Sequence, residues 1–210
     1  MGPRDTLLAG LARQLGHPSG IAGRAVGRIL NRRNRGTVTA AVAALELQPG
    51  ETALAIGFGG GLVLDLLLRA AAGGTVHGVD VSDTVIAKAR AAFPQNIAAG
   101  RLRLHRGSIS ALPLEDASMA AAITINTVYF VADLDGAFAE VTRVLAPGGR
   151  FVLGIGDPDA MAAAQVTDHD YHLRPVAEIE TALGEAGLIL RRHERVGEST
   201  RAAHLLVANR

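Results

Sequence analysis

The chain has 210 residues, 49% of them apolar and 3% aromatic, with no cysteine and a formal net charge of +1. That is enough chain for one full core with a small cap. The composition excludes disulfides, thiolate nucleophiles and cysteine-ligated metals, and the charge gives no global pull toward nucleic acid. No apolar run is long enough to span a bilayer and the N-terminus lacks a signal-peptide pattern, so the expected location is the cytoplasm.

Residues 1–36 read as an N-terminal helical cap, ahead of a larger domain over 37–210. Pro3 to Leu15 is an amphipathic helix carrying Leu7, Leu8, Leu11 and Leu15 on one face. Ile21 to Asn31 resumes helical spacing, with Arg24, Arg28, Arg32, Arg33 and Arg35 on or after it. A solvated face accounts for these arginines. No aromatic lies among them to stack on bases, which argues against nucleic acid. Thr37 to Leu47 is a third helix, closed by Gln48-Pro49-Gly50.

A buried strand follows at about Thr52 to Ile56, then Gly57-Phe58-Gly59-Gly60-Gly61, then leucines at helical spacing to about Ala72. Glycine is needed where backbone turns sharply and where a ligand must approach the main chain closely. Thr75 to Asp80 is a second buried strand, and Val81-Ser82-Asp83 caps a helix that reaches Phe93, where Pro94 stops it. Arg101 to Arg106 alternates as a third strand, and Ala120 to Asn126 is a fourth. Asp133 to Leu145 is helical, Pro147-Gly148-Gly149 is a tight turn, and Arg150 to Gly156 is a fifth strand. Pro175 to Ala186 is a helix closed by Gly187. Leu188 to Val196 and Arg201 to Ala208 pair as an antiparallel hairpin.

Strands alternating with helices predict an α/β, doubly wound, mostly parallel sheet. A ligand in such a sheet lies beyond the carboxyl ends of the strands, where the strand order switches. Gly57, Phe58, Gly59, Gly60 and Gly61 follow strand one there, and Asp80 ends strand two. A carboxylate at that place accepts both hydroxyls of a ribose. Ser108 and Ile109 follow strand three, and Asn126 to Tyr129 follow strand four. A dinucleotide fingerprint needs a small residue three beyond the second glycine. Leu62 and Leu64 stand at the two candidate positions, which disfavours a nicotinamide oxidoreductase.

Ala53 to Gly61 resembles the first motif of class I S-adenosylmethionine-dependent methyltransferases, and Val76 to Ser82 their second. Gly107 to Ser118 resembles their adenine loop, and Val141 to Arg150 the helix and turn before their fifth strand. The likeness looks closest to the ubiquinone/menaquinone-type, small-molecule branch. It implies a Rossmann-like methyltransferase fold of seven strands with an antiparallel last strand. It implies S-adenosylmethionine as cofactor and S-adenosylhomocysteine as product.

Carried over by position, Gly57, Phe58, Gly59 and Gly61 line the methionine and ribose, and Asp80 takes the ribose hydroxyls. Val81 packs on the adenine, Ser108 and Ile109 border its edge, and Asn126 lies under the methionine. Asn34, just before the third helix, is placed by location at the cofactor carboxylate. Two positions depart from the family: Ala55 stands where an acid is usual, and Ser108 where an Asp is frequent. Each lost charge-assisted bond costs on the order of 1.5–3 kcal/mol, so binding is expected to be weaker or compensated elsewhere.

The expected chemistry is methyl transfer to O, N or C of a small molecule, achieved mainly by positioning under the cap. Tyr129 at the mouth of the site and His172 as general base are the catalytic candidates. Asp168 to His172 is the densest polar cluster in the chain. It reads as a solvated lid carrying His169 and His172, and no metal is expected. A cofactor-binding but catalytically degenerate protein is the alternative, and a homodimer is left open.

Overall fold

The computed structural model describes residues 35–163, 172–197 and 202–210. The expected cap and Asn34 therefore lie outside the described residues, as do His169 and most of the polar cluster around it. Residues 35–44 form helix α1, which begins before the expected Thr37 and ends short of Leu47. Then come β1 (Ala53–Ile56), α2 (Leu62–Ala70), β2 (Val76–Asp80), α3 (Asp83–Ala92), α4 (Pro94–Ala98) and β3 (Leu102–Arg106). The second half holds β4 (Met119–Ile125), a 3-10 turn (Val128–Phe130), α5 (Leu134–Val144), β5 (Leu145–Gly156) and α6 (Pro158–Ala163). It closes with α7 (Val176–Glu185), β6 (Ile189–Val196) and β7 (Ala203–Asn209).

The seven strands run in the order β3-β2-β1-β4-β5-β7-β6. The first five are parallel, and β7 is antiparallel to both of its neighbours. Both faces are covered, which is why β1, β2 and β4 read as near-continuous apolar runs. The split is visible inside β1. Leu54 and Ile56 join the cluster that α5 and α7 build around Phe138 and Phe151. Ala53 and Ala55 join the cluster of α1, α2 and α3 around Leu45, Leu64 and Leu67. The chain winds outward from β1 to β3, then returns to β4 on the other side of β1. The switch point lies between the carboxyl ends of β1 and β4.

Two expected stops are in fact continuations. Pro94 does not only end a helix: it opens α4 at the first helical position, where its missing N–H costs nothing. The expected turn at Pro147-Gly148-Gly149 is a bulge inside β5, which pairs Met119 with Leu145 and then Ala121 with Arg150. The loop-out closes on the C-terminus, where Arg210 N–H donates to Gly149 O at 2.9 Å.

His77 of β2 and His105 of β3 stack at 5.2 Å, with a ring-nitrogen contact of 3.2 Å. Burial first, then the positive neighbours His105 and Arg103, hold the His77 pKa down from 6.5 to about 4. Burial lowers His105 as well. A base with a lowered folded pKa contributes nothing above the unfolded value. Stability is lost as pH falls from 6.5 toward 4, because only the unfolded chain takes up the proton. Denaturant unfolding is expected to show about 2–3 kcal/mol less stability at pH 4.5 than at pH 7 from this residue. The loss should be largely absent in His77→Leu; parallel pH profiles for the two proteins would overturn the assignment.

Candidate cofactor site

The last ladder bond of β1 runs from Gly57 N–H to Val79 O at 2.8 Å, and the backbone then leaves the sheet. Gly57, Gly59 and Gly61 all sit in the left-handed region, at φ 65, 50 and 82. Only glycine adopts that conformation without strain, and three in one turn leave the main chain bare. Gly61 donates to Phe58 O at 3.0 Å and accepts the first helical bond of α2 from Asp65. At Gly57 space is short as well: a Cβ there would lie 2.3 Å from Thr127 Oγ1. Thr127 joins the site just after β4, within the Asn126 to Tyr129 stretch expected there.

Asp80 ends β2, buried with 8% exposure. Its Oδ2 accepts from Gly59 N–H at 3.2 Å and its Oδ1 from Ser82 N–H at 3.0 Å. The carboxylate thus braces the glycine turn against the start of α3. Carboxylate oxygens accept more than one bond each, so the group still suits a diol. Val81, next to it, is 49% exposed, an unusual state for valine and a ready apolar surface.

The other candidates divide. Asn126 is left-handed at φ 57, its N–H bonded to Gly154 O across to β5. Ser108 pairs with Ala111 in a one-residue bridge that shapes the loop after β3. Phe58 and Ile109 both bury their side chains, each 4% exposed. Phe58 packs with Leu64 over Gly78, and Ile109 packs with Val79 and Leu112. These two meet the site with backbone.

Tyr129 is not at the mouth but in the wall, 3% exposed. Its hydroxyl accepts from Gly156 N–H at 2.6 Å and lies 3.4 Å from Asn126 Oδ1. The phenol ties the ends of β4 and β5 together. His172 is exposed, and its backbone N–H donates to Tyr129 O at 2.8 Å. Arg174 reinforces the same seam by donating to Val131 O and Ala132 O.

One charged residue at the carboxyl ends of the strands is absent from the sequence reading. Asp157 follows β5, caps α6 by accepting from Ala160 N–H at 3.0 Å, and pairs with Arg195 at 2.9 Å. Those two bonds hold its carboxyl below the usual range. The Asp-Pro pair opening α6 was its available signal. Among the described residues, no cluster of three or more metal-ligating side chains is present.

The glycine cradle, the braced carboxylate and the exposed valine fit a ribonucleoside cofactor on this structure's own geometry. Residues 54–153 match the protein family described as a methyltransferase domain. Over those residues the match supports the class I S-adenosylmethionine-dependent methyltransferase family. S-adenosylmethionine is the cofactor of that family. The chain is 42% identical over 119 residues to an uncharacterised 37.1 kDa protein in transposon TN4556 of Streptomyces fradiae, matching 56% of this chain and 34% of that one. It spans 25% to 66% of the length of further curated relatives that it matches.

In fold it is similar to a Haloferax volcanii methyltransferase solved with the Trm112 activator, with a TM-score of 0.77 and 22% identity. That alignment covers 89% of this chain and 93% of the other. It is also similar to geranyl diphosphate C-methyltransferase of Streptomyces coelicolor A3(2), solved with Mg2+, geranyl diphosphate and S-adenosylhomocysteine. There the TM-score is 0.73 at 16% identity, over 94% and 87% of the two chains. These likenesses are of fold, and they do not single out the ubiquinone/menaquinone branch.

Proposed function

We propose that this chain transfers a methyl group from S-adenosylmethionine to O, N or C of a small-molecule acceptor in the cytoplasm. The observation that carries the reading is the pairing of the left-handed glycine turn after β1 with Asp80 at the end of the adjacent β2, beside the switch point. When bound, S-adenosylmethionine supplies an electrophilic methyl on a sulfonium. Gly57, Gly59 and Gly61 leave bare backbone for its methionine and ribose, with Phe58 contributing main chain between them. Asp80 accepts the ribose hydroxyls, Val81 covers the adenine, and Ser108 and Ile109 border its edge. Asn126 lies under the methionine, held by its bond to β5. Tyr129 acts by fixing Asn126 against Gly156, and His172 accepts a proton where the acceptor carries one at neutral pH.

A small molecule is favoured over a nucleic acid because the chain is nearly neutral overall and carries few aromatic side chains, so it offers neither a general electrostatic pull nor a stacking surface. Ala55 supports a second reading, a protein that binds the cofactor and no longer turns over. Ala55 is fully buried in the α2-side cluster and offers no acceptor to the methionine ammonium.

Thermal unfolding with S-adenosylmethionine, S-adenosylhomocysteine and NAD separates the candidates. Ligand at a hundred times Kd adds about 2.7 kcal/mol, which for a domain of this size raises Tm by about 5 °C or more. A shift with both adenosyl ligands and none with NAD is expected; a shift with NAD alone would sink the reading. Transfer of tritiated methyl into the small-molecule fraction of a cell extract then tests turnover. Label found only in macromolecules would remove the small-molecule acceptor. Binding without any label supports the degenerate reading, and full labelling by His172→Ala would remove the base.

A further inference from the structure

The loop over 107–118 lies outside the named strands, yet it is gripped at Leu112, Leu114, Asp116 and Ala117 by one turn of α5. Arg143 Nη2 donates to Leu112 O at 3.0 Å, and its Nη1 donates to Leu114 O at 2.9 Å and also pairs with Asp116. Arg143 O accepts from Ala117 N–H at 2.9 Å. Glu140, three residues earlier on the same face, holds the Arg143 Nε at 2.8 Å. Leu112 is therefore held at its C=O by a guanidinium that Glu140 fixes in place.

The other end of the loop is anchored to the site itself, since Gly107 N–H donates to Asp80 O at 3.2 Å. Ser108 and Ile109 hang between these two anchors. Ala117 is left-handed at φ 51, a conformation alanine adopts only when its surroundings impose it. The Arg143 hydrogen bond, ahead of the other causes, keeps the Glu140 carboxyl ionised well below the usual range. The grip thus persists across physiological pH. A guanidinium fork is suited to this task because several donors leave one rigid plane.

We propose that Glu140 and Arg143 are positioning residues for the cofactor's adenine, holding the loop in the form that borders the base. The inference rests on the methyltransferase reading above and goes beyond it by assigning a role to Glu140 and Arg143. The clamp touches no ligand. It fixes the peptides that do.

The test is isothermal titration of S-adenosylhomocysteine and of S-inosylhomocysteine, whose base differs only along the edge that the loop borders. Wild type is expected to prefer the adenosyl ligand. In Arg143→Met its Kd should rise about tenfold and the preference between the two bases should shrink toward unity. Arg143→Lys, which keeps the charge without the fork, should fall between. An equal loss for both ligands, with the preference intact, overturns the proposal and leaves only a structural role. So does an unchanged Kd. If Arg143→Met does not fold, Arg143→Lys decides by the same ratio. A wild type that binds neither ligand overturns the methyltransferase reading itself, which distinguishes that failure from failure of the clamp.

Discussion

Asp80→Ala is expected to raise the Kd for S-adenosylhomocysteine by about 100- to 10,000-fold in isothermal titration. Two losses combine. The first is direct, because the carboxylate is the proposed acceptor for two ribose hydroxyls. Hydrogen bonds to a charged partner contribute about 1.5–3 kcal/mol each, and every 1.4 kcal/mol is tenfold in Kd. The second is indirect. Asp80 accepts from Gly59 N–H and Ser82 N–H in the structure, so it shapes the glycine turn before any ligand arrives. Its removal leaves the turn with more conformers to lose on binding. Asp80→Asn separates the two effects, since the amide keeps the shape and one acceptor but presents N–H where an acceptor is needed. It should bind better than Asp80→Ala and still at least tenfold worse than wild type. The fold should survive both changes, because water can reach the partly buried turn. A Kd for folded Asp80→Ala within threefold of wild type would remove Asp80 from the site.

What was legible in the sequence and what was not divide along a physical line. Local chemistry read through: Ser82 caps α3 by accepting from Val85 N–H, and Asp133 caps α5 by accepting from Gly136 N–H. The strands read through because burial on both faces makes their composition uniform. The order of glycines and acid read through because the switch point is a property of topology, which the alternation of elements already implies. Direction did not read through. Periodicity says that Phe58, Ile109 and Tyr129 are apolar or amphipathic, but in a turn it cannot say which way each points. All three go into the core. Long-range satisfaction was also invisible. Glu140 and Arg143 look like an ordinary ion pair along a helix face, and the carbonyl partners of Arg143 lie about thirty residues away. Pro94 and the Pro147 segment misled for a related reason. Proline and glycine mark a change of backbone conformation, but only packing decides whether the chain then turns, bulges or restarts a helix.

Gly57→Ala is expected to destabilise the fold by about 2–4 kcal/mol in denaturant unfolding, against about 1 kcal/mol for Gly59→Ala. Both glycines are left-handed, at φ 65 and 50, so alanine pays a backbone cost at either position. Their surroundings differ. A Cβ at Gly59 meets nothing nearer than 4.0 Å, whereas one at Gly57 lies 2.3 Å from Thr127 Oγ1 and 3.0 Å from Thr127 Cγ2. Thr127 is not locked by its hydroxyl, whose contacts to Ile56 O and Ile125 O are both 3.5 Å and therefore weak. Rotation of its side chain offers only partial relief, because turning the hydrogen toward Gly57 leaves the other staggered position near 3.0 Å and the Thr127 Cβ at 3.2 Å. The ends of β1 and β4 must then separate, and they are joined through the bond from Thr124 Oγ1 to Ile56 O at 3.0 Å. The decisive variant is Gly57→Ala with Thr127→Ala, which removes the collision and keeps the backbone cost. It should recover most of the difference between the two single glycine variants. If Gly57→Ala is no worse than Gly59→Ala, the strands part without penalty, and Thr127 does not set the width of the cofactor cradle.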